Sequence, residues 1–287
     1  MNGHEGQDGY GRTLSRTRDY LRLLGVPDLP PLTSPFDPGY DLGTLTGHLD
    51  QSAHLMSRLK VSMACWIVGR EEVSRAKVQA ARDHGIPTVS GGGPFEIAVA
   101  QGRLPEFLDL CADMGFDRIE AGQGFTDIKL DIDGIVEMAD ARGLEVQFEL
   151  GAKHDGAFDG EVVTGLLDKG RAWLEAGAVE LVIEARESAQ GVGLFDEQGR
   201  FNGGLADAFA EVFGLDAVVF EAPTKPSQFA MLDHFGPRVR LCNIRLEEVL
   251  RVEIYRRGLH SDAFSKPQLS PGAPVDLEQT RQIDLTR

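Results

Sequence analysis

The chain has 287 residues, of which 42% are hydrophobic, and this is enough to form a sizeable buried core. Acidic residues outnumber basic residues 45 to 29, and the formal charge of -16 argues against nucleic acid or an anionic membrane as a partner. No stretch approaches the roughly 18 to 20 apolar residues of a membrane span, and three widely spaced cysteines predict neither a disulfide framework nor a zinc site.

Residues 1–28 are polar and glycine-rich, and we interpret them as an N-terminal extension with a short helical pattern. They contain neither the apolar segment nor the cleavage site of a secretory signal, so a cytoplasmic protein is expected.

Short apolar runs then recur at intervals of about 23 to 37 residues, the spacing of a strand followed by a crossover helix. The predicted strands are 32–36, 59–66, 86–90, 116–120, 144–150, 179–185, 216–222 and 239–244.

The segments between these strands have helical periodicity. In one of them Phe107, Leu108, Cys111 and Met114 share a helix face. Another ends at Gly177, a residue type that commonly terminates a helix.

Eight strand–helix units without a dinucleotide-binding fingerprint predict an α/β fold, a (β/α)8 TIM barrel over residues 29–262. The proline-rich, polar residues 263–287 are expected to be a C-terminal tail that wraps a neighbouring surface or is disordered.

In barrels of this class the chemistry lies where the strands run into their following loops. Ionisable side chains are dense at these positions, although a buried acid is costly unless it is paired or binds a metal. The predicted positions are Asp37, Trp66, Gly91, Gly92, Gly93, Glu120, Glu149, Lys153, Glu184, Arg186, Glu187, Glu221, Lys225 and Asn243.

Glu149, Glu184 and Glu221 end three consecutive strands and predict a Mg²⁺ site, because this ion prefers oxygen ligands. Glu120 ends another strand. Since not all four can be ligands, at least one is expected to orient a lysine or an arginine instead.

The segment "VIEARES" places Glu184 and Arg186 two residues apart, so both are predicted to point into the mouth of the barrel. Glu187 is predicted to pack against neighbouring residues. One interpretation is a metal ligand beside an anion clamp. The other is an ion pair that closes the top of the barrel, and the segment alone does not decide between them.

The stretch "VSGGGPFEIA" places Gly91, Gly92 and Gly93 between a strand and a helix, where backbone N–H groups can cradle a phosphate or a carboxylate. Tight turns need glycine in any case. Glu96 is interpreted as part of the helix N-terminus in preference to a ligand.

Lys153, in "ELGAKHDG", is a candidate proton donor or cationic clamp, and the alternative is a solvated loop lysine. Lys225, after the seventh strand, has the same two interpretations.

Several long segments resemble the phosphosulfolactate synthase family, over roughly residues 32–262. They are "GGGPFEIAVAQGRLPEFLDLCADMGFDRIE", "LVIEARESAQGVGLFDEQG", "VVFEAPTKPSQFAMLDHFGPRVRLCNIRLEEVLRVE" and "RRGLHSD".

The resemblance implies a Mg²⁺-dependent carbon–sulfur lyase that adds sulfite to phosphoenolpyruvate, an early step toward coenzyme M. It implies Lys153, Arg186 and Glu149 as catalytic residues, with Lys153 as the acid that protonates C2. Arg186 and the Gly91–Gly93 turn would hold phosphate or carboxylate, and Asn243 and Trp66 would also bind the substrate. A homo-oligomer is expected from the resemblance alone.

Two positions depart from the family pattern. Pro38 stands where the first strand of the family has a lysine, and Met63 stands where the second strand has one. A hydrogen bond to a charged group contributes about 1.5 to 3 kcal/mol, so losing two cations predicts weaker binding of an anionic substrate unless another cation, such as Arg70, compensates.

Three hypotheses follow. The first is a phosphosulfolactate synthase with relocated cations, and we take it as the main prediction. The second is a lyase or isomerase that uses the same Glu/Arg/Lys site on a less charged carboxylate or phosphorylated substrate. The third is a non-catalytic barrel that acts through its surface.

Overall fold

The computed structural model describes residues 17, 18, 20, 21 and 24–269. In this part of the chain eight parallel strands close into a barrel, because each strand pairs with the next and the last pairs with the first. The strands are β1 Thr33–Asp37, β2 Leu59–Val61, β3 Thr88–Ser90, β4 Arg118–Gly122, β5 Glu145–Leu150, β6 Glu180–Ile183, β7 Val218–Glu221 and β8 Leu241–Arg245.

Helices separate the strands along the chain, which confirms the predicted (β/α)8 TIM barrel. They are α1 Leu42–Ser52, α2 Cys65–Val68, α3 Glu71–Asp83, α4 Gly93–Ala100, α5 Leu104–Met114, α6 Ile132–Asp140, α7 Gly160–Ala176, α8 Gly203–Phe213, α9 Lys225–Phe235 and α10 Val249–Arg256.

The helical periodicity of the sequence is confirmed where it was strongest. The four apolar side chains predicted to share one face of α5 are all buried. Helix α7 ends at Gly177, which has φ = 112°, a left-handed conformation that glycine adopts without steric cost.

The second strand is shorter than predicted. β2 ends at Val61, and Met63 has φ = 49°, so the chain leaves the sheet before the predicted end of the strand. Trp66 therefore lies on α2, where its ring packs edge-on against Phe116 with 5.0 Å between the ring centroids. It is only 3% exposed, because burying the indole among aromatic rings removes a large apolar surface from water.

A layer of four charged side chains closes the amino-terminal end of the barrel. They come from the starts of the even-numbered strands: Arg58, Arg118, Glu180 and Arg240. The Glu180 carboxylate is 2.6 Å from Arg58 Nη2, 3.0 Å from Arg118 Nη1 and 2.7 Å from Arg240 Nη2. One carboxylate thus holds three arginines, in the layered packing typical of barrel interiors.

The chain continues to pack against the barrel after residue 262. Leu269 is buried, and Lys266 Nζ lies 2.7 Å from Asp233 Oδ2 on α9. Most of the predicted N-terminal extension and residues 270–287 of the predicted tail lie outside the described residues, so the boundaries at 28/29 and 262/263 stay predictions. No helix in the described segments has the length and apolar character needed to cross a membrane.

Candidate active site

The carboxyl ends of the strands surround a cavity of about 870 Å³. This is the end of the barrel at which the sequence predicted the chemistry to lie. The predicted site residues that line the cavity are Gly92, Gly93, Glu120, Glu149, Lys153, Glu184, Arg186, Glu187, Glu221 and Asn243.

Lys153 lies among acids rather than in solvent. Its Nζ is 2.8 Å from Glu149 Oε1 and 2.6 Å from Glu184 Oε2. Burial by itself would lower the pKa of Lys153, but the negative charges of Glu149, Glu184 and Glu221 outweigh it and raise this pKa well above its usual range. The lysine is therefore a protonated ammonium group that faces the cavity, and the interpretation as a solvated loop lysine is wrong.

The surroundings of Glu149 and Glu184 shift the pKa values of these two residues in opposite directions. Burial, together with the negative charges of Glu221 and Glu149, raises the pKa of Glu184. Burial opposes ionisation of Glu149 too, but Lys153 and Lys60 prevail and lower the pKa of Glu149. The cavity thus places two carboxyl groups with oppositely shifted pKa values on the same ammonium group.

A cation on β2 compensates for one of the two lysines that the sequence seemed to lack. Lys60, three residues before Met63, projects into the barrel with Nζ 2.6 Å from Glu120 Oε1 and 3.2 Å from Asn243 Oδ1. Burial disfavours its charge, but Glu120 and Glu221 outweigh this effect and raise the pKa of Lys60. The sequence analysis missed this residue, although a lysine inside the apolar run "LKVS" is a signal for a paired buried cation.

Glu221 and Asn243 are joined to this network. The Asn243 amide donates a hydrogen bond to Glu221, while its oxygen accepts one from Lys60. The other Glu221 oxygen accepts from the backbone N–H groups of Ala185, at 2.9 Å, and Arg186, at 3.1 Å. Asn243 has φ = 54°, a left-handed conformation that asparagine tolerates better than most residues.

Arg186 does not lie on a strand, so the period-two reasoning that placed it was wrong. β6 ends at Ile183, and Arg186 follows in a turn with φ = 54°. Its guanidinium donates to the carbonyl oxygen of Lys153 at 3.0 Å, and no carboxylate among the described residues forms an ion pair with it. An ion pair between Glu184 and Arg186 therefore does not close the barrel, and this guanidinium can bind an anion in the cavity. Glu187 is exposed at the cavity rim instead of packed against a neighbour.

The glycine turn offers fewer free N–H groups than its sequence suggests. Gly91 N–H donates to Val61 O at 3.0 Å, and Gly92 N–H donates to Glu120 Oε1 at 3.2 Å. A Cβ atom at Gly91 would lie 2.5 Å from the Met63 nitrogen, so glycine is required there for close packing. Gly91 does not line the cavity, whereas Gly92 and Gly93 do.

Glu96 lies in the first turn of α4, as the favoured interpretation predicted. Its buried carboxylate accepts hydrogen bonds from Gly124 N at 2.9 Å, from Phe125 N at 3.0 Å, and from both the nitrogen, at 3.1 Å, and the hydroxyl, at 3.0 Å, of Thr126. This carboxylate therefore holds the segment that follows β4.

Three other predicted positions lie away from the cavity. Trp66 is part of the core. Asp37 is fully buried, and its carboxylate accepts from Gly39 N–H at 2.8 Å and from Lys77 Nζ at 2.7 Å. Lys225 begins α9 and lies 3.5 Å from Asp262, so it does not contribute to the cavity.

The predicted magnesium ligands lie together but do not form a metal site. In the part of the chain that the structure describes, no three acidic, histidine or cysteine side chains are arranged to hold a metal ion. The oxygens of Glu149, Glu184 and Glu221 instead accept hydrogen bonds from Lys153, Asn243 and backbone N–H groups. In this arrangement the three carboxylates face lysine, asparagine and backbone donors, which does not fit a site where all three bind Mg²⁺, and the predicted ligand set stays a prediction.

One part of the cavity wall is apolar. Met63 is 55% exposed, Ile97 is 55% exposed and Phe125 is 44% exposed, and all three line the same cavity as the charged groups. Arg245, which was not among the predicted site residues, also lines the cavity, and its Nε lies 2.8 Å from Glu247 Oε1.

A family model described as (2R)-phospho-3-sulfolactate synthase (ComA) matches residues 30–262. The chain is 35% identical over 196 residues to a phosphosulfolactate synthase of Methanocaldococcus jannaschii, and the match covers 68% of this chain and 78% of that protein. It is 28% identical over 249 residues to a phosphosulfolactate synthase of Methanothermobacter thermautotrophicus, over 85% of this chain and 95% of that protein.

Solved structures with low sequence identity share the fold. One is 3-keto-L-gulonate-6-phosphate decarboxylase from Vibrio cholerae, with a TM-score of 0.51, 12% identity, and coverage of 80% of this chain and 99% of that chain. Another is the carboxyl transferase domain of Rhizobium etli pyruvate carboxylase, with a TM-score of 0.54, 12% identity, and coverage of 95% and 49%. At this identity the likeness shows the barrel fold alone.

Proposed function

Because the chain belongs to the (2R)-phospho-3-sulfolactate synthase family, we propose that it is a carbon–sulfur lyase that adds sulfite to phosphoenolpyruvate. The observation that carries this proposal is that one cavity contains two cations in different surroundings. Lys153 is held by two carboxyl groups, whereas the Arg186 guanidinium has no acidic partner among the described residues. One cation is thus placed for proton transfer and the other is available for an anion.

Binding of an anionic substrate fits the charged side of the cavity. A guanidinium matches a phosphate or a carboxylate through two parallel hydrogen bonds, so Arg186 is proposed to hold one of these groups of phosphoenolpyruvate. Arg245 also lines the cavity, where Glu247 pairs with it. These contacts offset the unfavourable field of a chain with a formal charge of -16.

The proposed reaction adds sulfur and a proton across the carbon–carbon double bond of phosphoenolpyruvate, so a carbon–sulfur bond and a carbon–hydrogen bond replace one π bond. The sulfur lone pair of sulfite forms a bond to the methylene carbon of the enolpyruvate, and the double-bond electrons move toward C2 and the carboxylate. Lys153 then gives a proton to C2, which completes the product. Glu184 Oε2 lies 2.6 Å from Lys153 Nζ, and the raised pKa of Glu184 favours a proton on this carboxyl group, which can return a proton to the lysine after the transfer.

The high pKa of Lys153 has a consequence for the order of these events. A strongly held proton is not given to a weak base, so Lys153 protonates C2 only after carbon–sulfur bond formation has made that carbon strongly basic. Charge that builds on the substrate carboxylate before this step is stabilised by the positive groups around it.

The Mg²⁺ requirement that the family resemblance implies stays a prediction, and no residue is assigned to the ion. A metal would supply further stabilisation of the charge on the substrate carboxylate. Activity of the chelator-treated protein, measured with and without added Mg²⁺, tests this prediction directly.

A second candidate function is supported by the apolar wall. Met63, Ile97 and Phe125 leave much of their surface open to the cavity, whereas phosphoenolpyruvate has only a methylene group to place against them. A lyase or isomerase acting on a less charged carboxylate or phosphorylated compound with a larger apolar group would use both walls. A non-catalytic barrel would leave the cavity and the Arg186 guanidinium without a role.

The deciding experiment incubates the purified protein with Mg²⁺, phosphoenolpyruvate and sulfite and measures phosphosulfolactate by mass spectrometry. We expect product, and we expect phosphoenolpyruvate to raise the melting temperature. If no product forms and phosphoenolpyruvate does not raise the melting temperature, the proposal is contradicted. A thermal shift with other carboxylated or phosphorylated compounds alone would favour the second candidate.

A homo-oligomer remains a proposal from the family resemblance. Light scattering coupled to size-exclusion chromatography measures the mass in solution, and a mass equal to that of one chain would contradict it.

A further inference from the structure

The Glu96 carboxylate accepts hydrogen bonds from three consecutive residues. Glu96 is 2% exposed and lies in the first turn of α4, so the helix fixes its position. Its Oε1 accepts from Gly124 N, and its Oε2 accepts from Phe125 N and from both the nitrogen and the hydroxyl of Thr126. No cation among the described residues forms an ion pair with it. The four hydrogen bonds therefore account for the carboxylate and attach segment 124–126 to the barrel.

This segment in turn contacts Lys153 in two ways. The carbonyl oxygen of Gly124 accepts a hydrogen bond from the Lys153 backbone N–H at 2.7 Å. A Cβ atom at Gly124 would lie 2.8 Å from Lys153 Cε and 3.0 Å from Lys153 Cγ, so the lysine stem lies directly against the glycine. Both the backbone and the side chain of Lys153 thus depend on where Gly124 lies.

We propose that Glu96 is a positioning residue, which fixes segment 124–126 and through it directs the Lys153 ammonium toward Glu149, Glu184 and the cavity. The expected effect of this positioning on turnover rests on the proposed function. Glu96 itself does not line the cavity and is not a catalytic residue.

The main test is Glu96→Gln. An amide keeps the size of the carboxylate but has only one acceptor oxygen, and its NH2 group would face N–H donors. At least one N–H group of the segment therefore loses its partner. We expect kcat to fall about 100-fold, the effect of a displacement of about 1 Å at a catalytic group. KM for phosphoenolpyruvate should change less, because the segment contacts Lys153 directly and Arg186 only through the Lys153 carbonyl oxygen.

A second readout does not require turnover. The amine of Lys153 is labelled with trinitrobenzenesulfonate, and mass spectrometry measures the rate of labelling. This rate is compared with the rate for Lys225, which lies outside the cavity. In Glu96→Gln we expect labelling of Lys153 to become severalfold faster relative to Lys225, because the ammonium group is no longer held against its two acids.

Two further variants change the contacts of segment 124–126 without changing a charge. Gly124→Ala places a methyl group against the Lys153 stem, so it should reproduce the loss of kcat and the faster labelling. Thr126→Val removes one of the four hydrogen bonds and should have the same effects to a smaller degree. Either variant tests the inference if Glu96→Gln fails to fold.

The matched control is Asp117→Asn at the opposite end of the barrel. Asp117 also holds a segment, because its carboxylate accepts from Thr88 N at 2.7 Å and from the Thr88 hydroxyl at 3.0 Å. Its substitution should lower the melting temperature and leave kcat and the labelling ratio unchanged.

Unchanged labelling of Lys153 in both Glu96→Gln and Gly124→Ala would overturn the inference, and so would an equal change in Asp117→Asn. If the wild type does not convert phosphoenolpyruvate and sulfite, the proposed function fails, while the labelling ratio still tests the positioning of Lys153.

Discussion

The two ends of the barrel each contain a buried cluster of opposite charges, but the clusters are built differently. At the amino-terminal end one carboxylate, Glu180, is surrounded by Arg58, Arg118 and Arg240. At the carboxyl-terminal end four glutamates surround two lysines, Lys60 and Lys153, and the cluster opens into the cavity.

Backbone strain separates the two ends as well. Three residues that line the cavity, Met63, Arg186 and Asn243, have positive φ although they are not glycine. Such conformations cost energy and persist only where the surrounding structure enforces them, which is common at functional sites. The amino-terminal cluster lies on regular strand starts.

The comparison teaches that buried charge alone does not mark a catalytic site. The amino-terminal cluster does not line the cavity, and its arginines are held by Glu180 and by groups beside it, such as Glu145, so it stabilises the fold. The cavity cluster contains groups whose pKa values are pushed in opposite directions, as for Glu149 and Glu184, beside space for a ligand. The predictions below separate these two roles.

The largest expected effect is on catalysis. Lys153→Met should lower kcat by about 10²- to 10⁴-fold, the usual contribution of a general acid, while the protein stays folded. Steady-state assays and a thermal melt measure the two quantities. Lys225→Met, outside the cavity, is the control and should keep full activity. Full activity in Lys153→Met would remove Lys153 from the proposed mechanism.

The next effect is on stability at the other end. Glu180→Gln should lower the free energy of unfolding by about 3–5 kcal/mol, because three arginines lose a buried partner. Denaturant unfolding measures this change, and kcat at a temperature where the variant is folded should match the wild type. Glu145→Gln, whose exposed carboxylate pairs with Arg118, should cost less than about 1 kcal/mol. Equal losses in the two variants would contradict the assigned role of Glu180.

A smaller effect is expected at the anion clamp. Arg186→Lys should raise KM for phosphoenolpyruvate about tenfold or more, because a point charge replaces the two parallel hydrogen bonds of a guanidinium, and kcat should change less. Arg70→Lys is the control. Arg70 pairs with Glu72 in solvent and does not line the cavity, so it does not compensate for the missing lysines. A loss of kcat at constant KM in Arg186→Lys would assign it to the chemical step instead.

The smallest expected effect is that of the metal on the free protein. Mg²⁺ added without substrate should leave the melting temperature unchanged, because lysine and backbone groups already occupy the oxygens of Glu149, Glu184 and Glu221. A Mg²⁺-dependent rise that Glu184→Gln abolishes would show that these carboxylates do bind the ion.

Much of the site could be predicted because strand ends are visible in the sequence. Glu149, Glu184 and Glu221 each end an apolar run, and in a closed barrel such residues meet at one rim. The errors arose where local pattern and tertiary packing disagreed. Trp66 was assigned to the cavity because β2 seemed longer than it is, and Lys60 was missed because its partners lie on three other strands.

The sequence by itself determined the barrel, its eight strands and the end at which the acids collect, because periodicity and strand spacing are local properties of the chain. Only the tertiary structure decided which charges pair, that Arg186 faces the cavity without an acidic partner among the described residues, and that Glu96 holds segment 124–126. These outcomes depend on distances between side chains far apart in sequence, which no local pattern encodes.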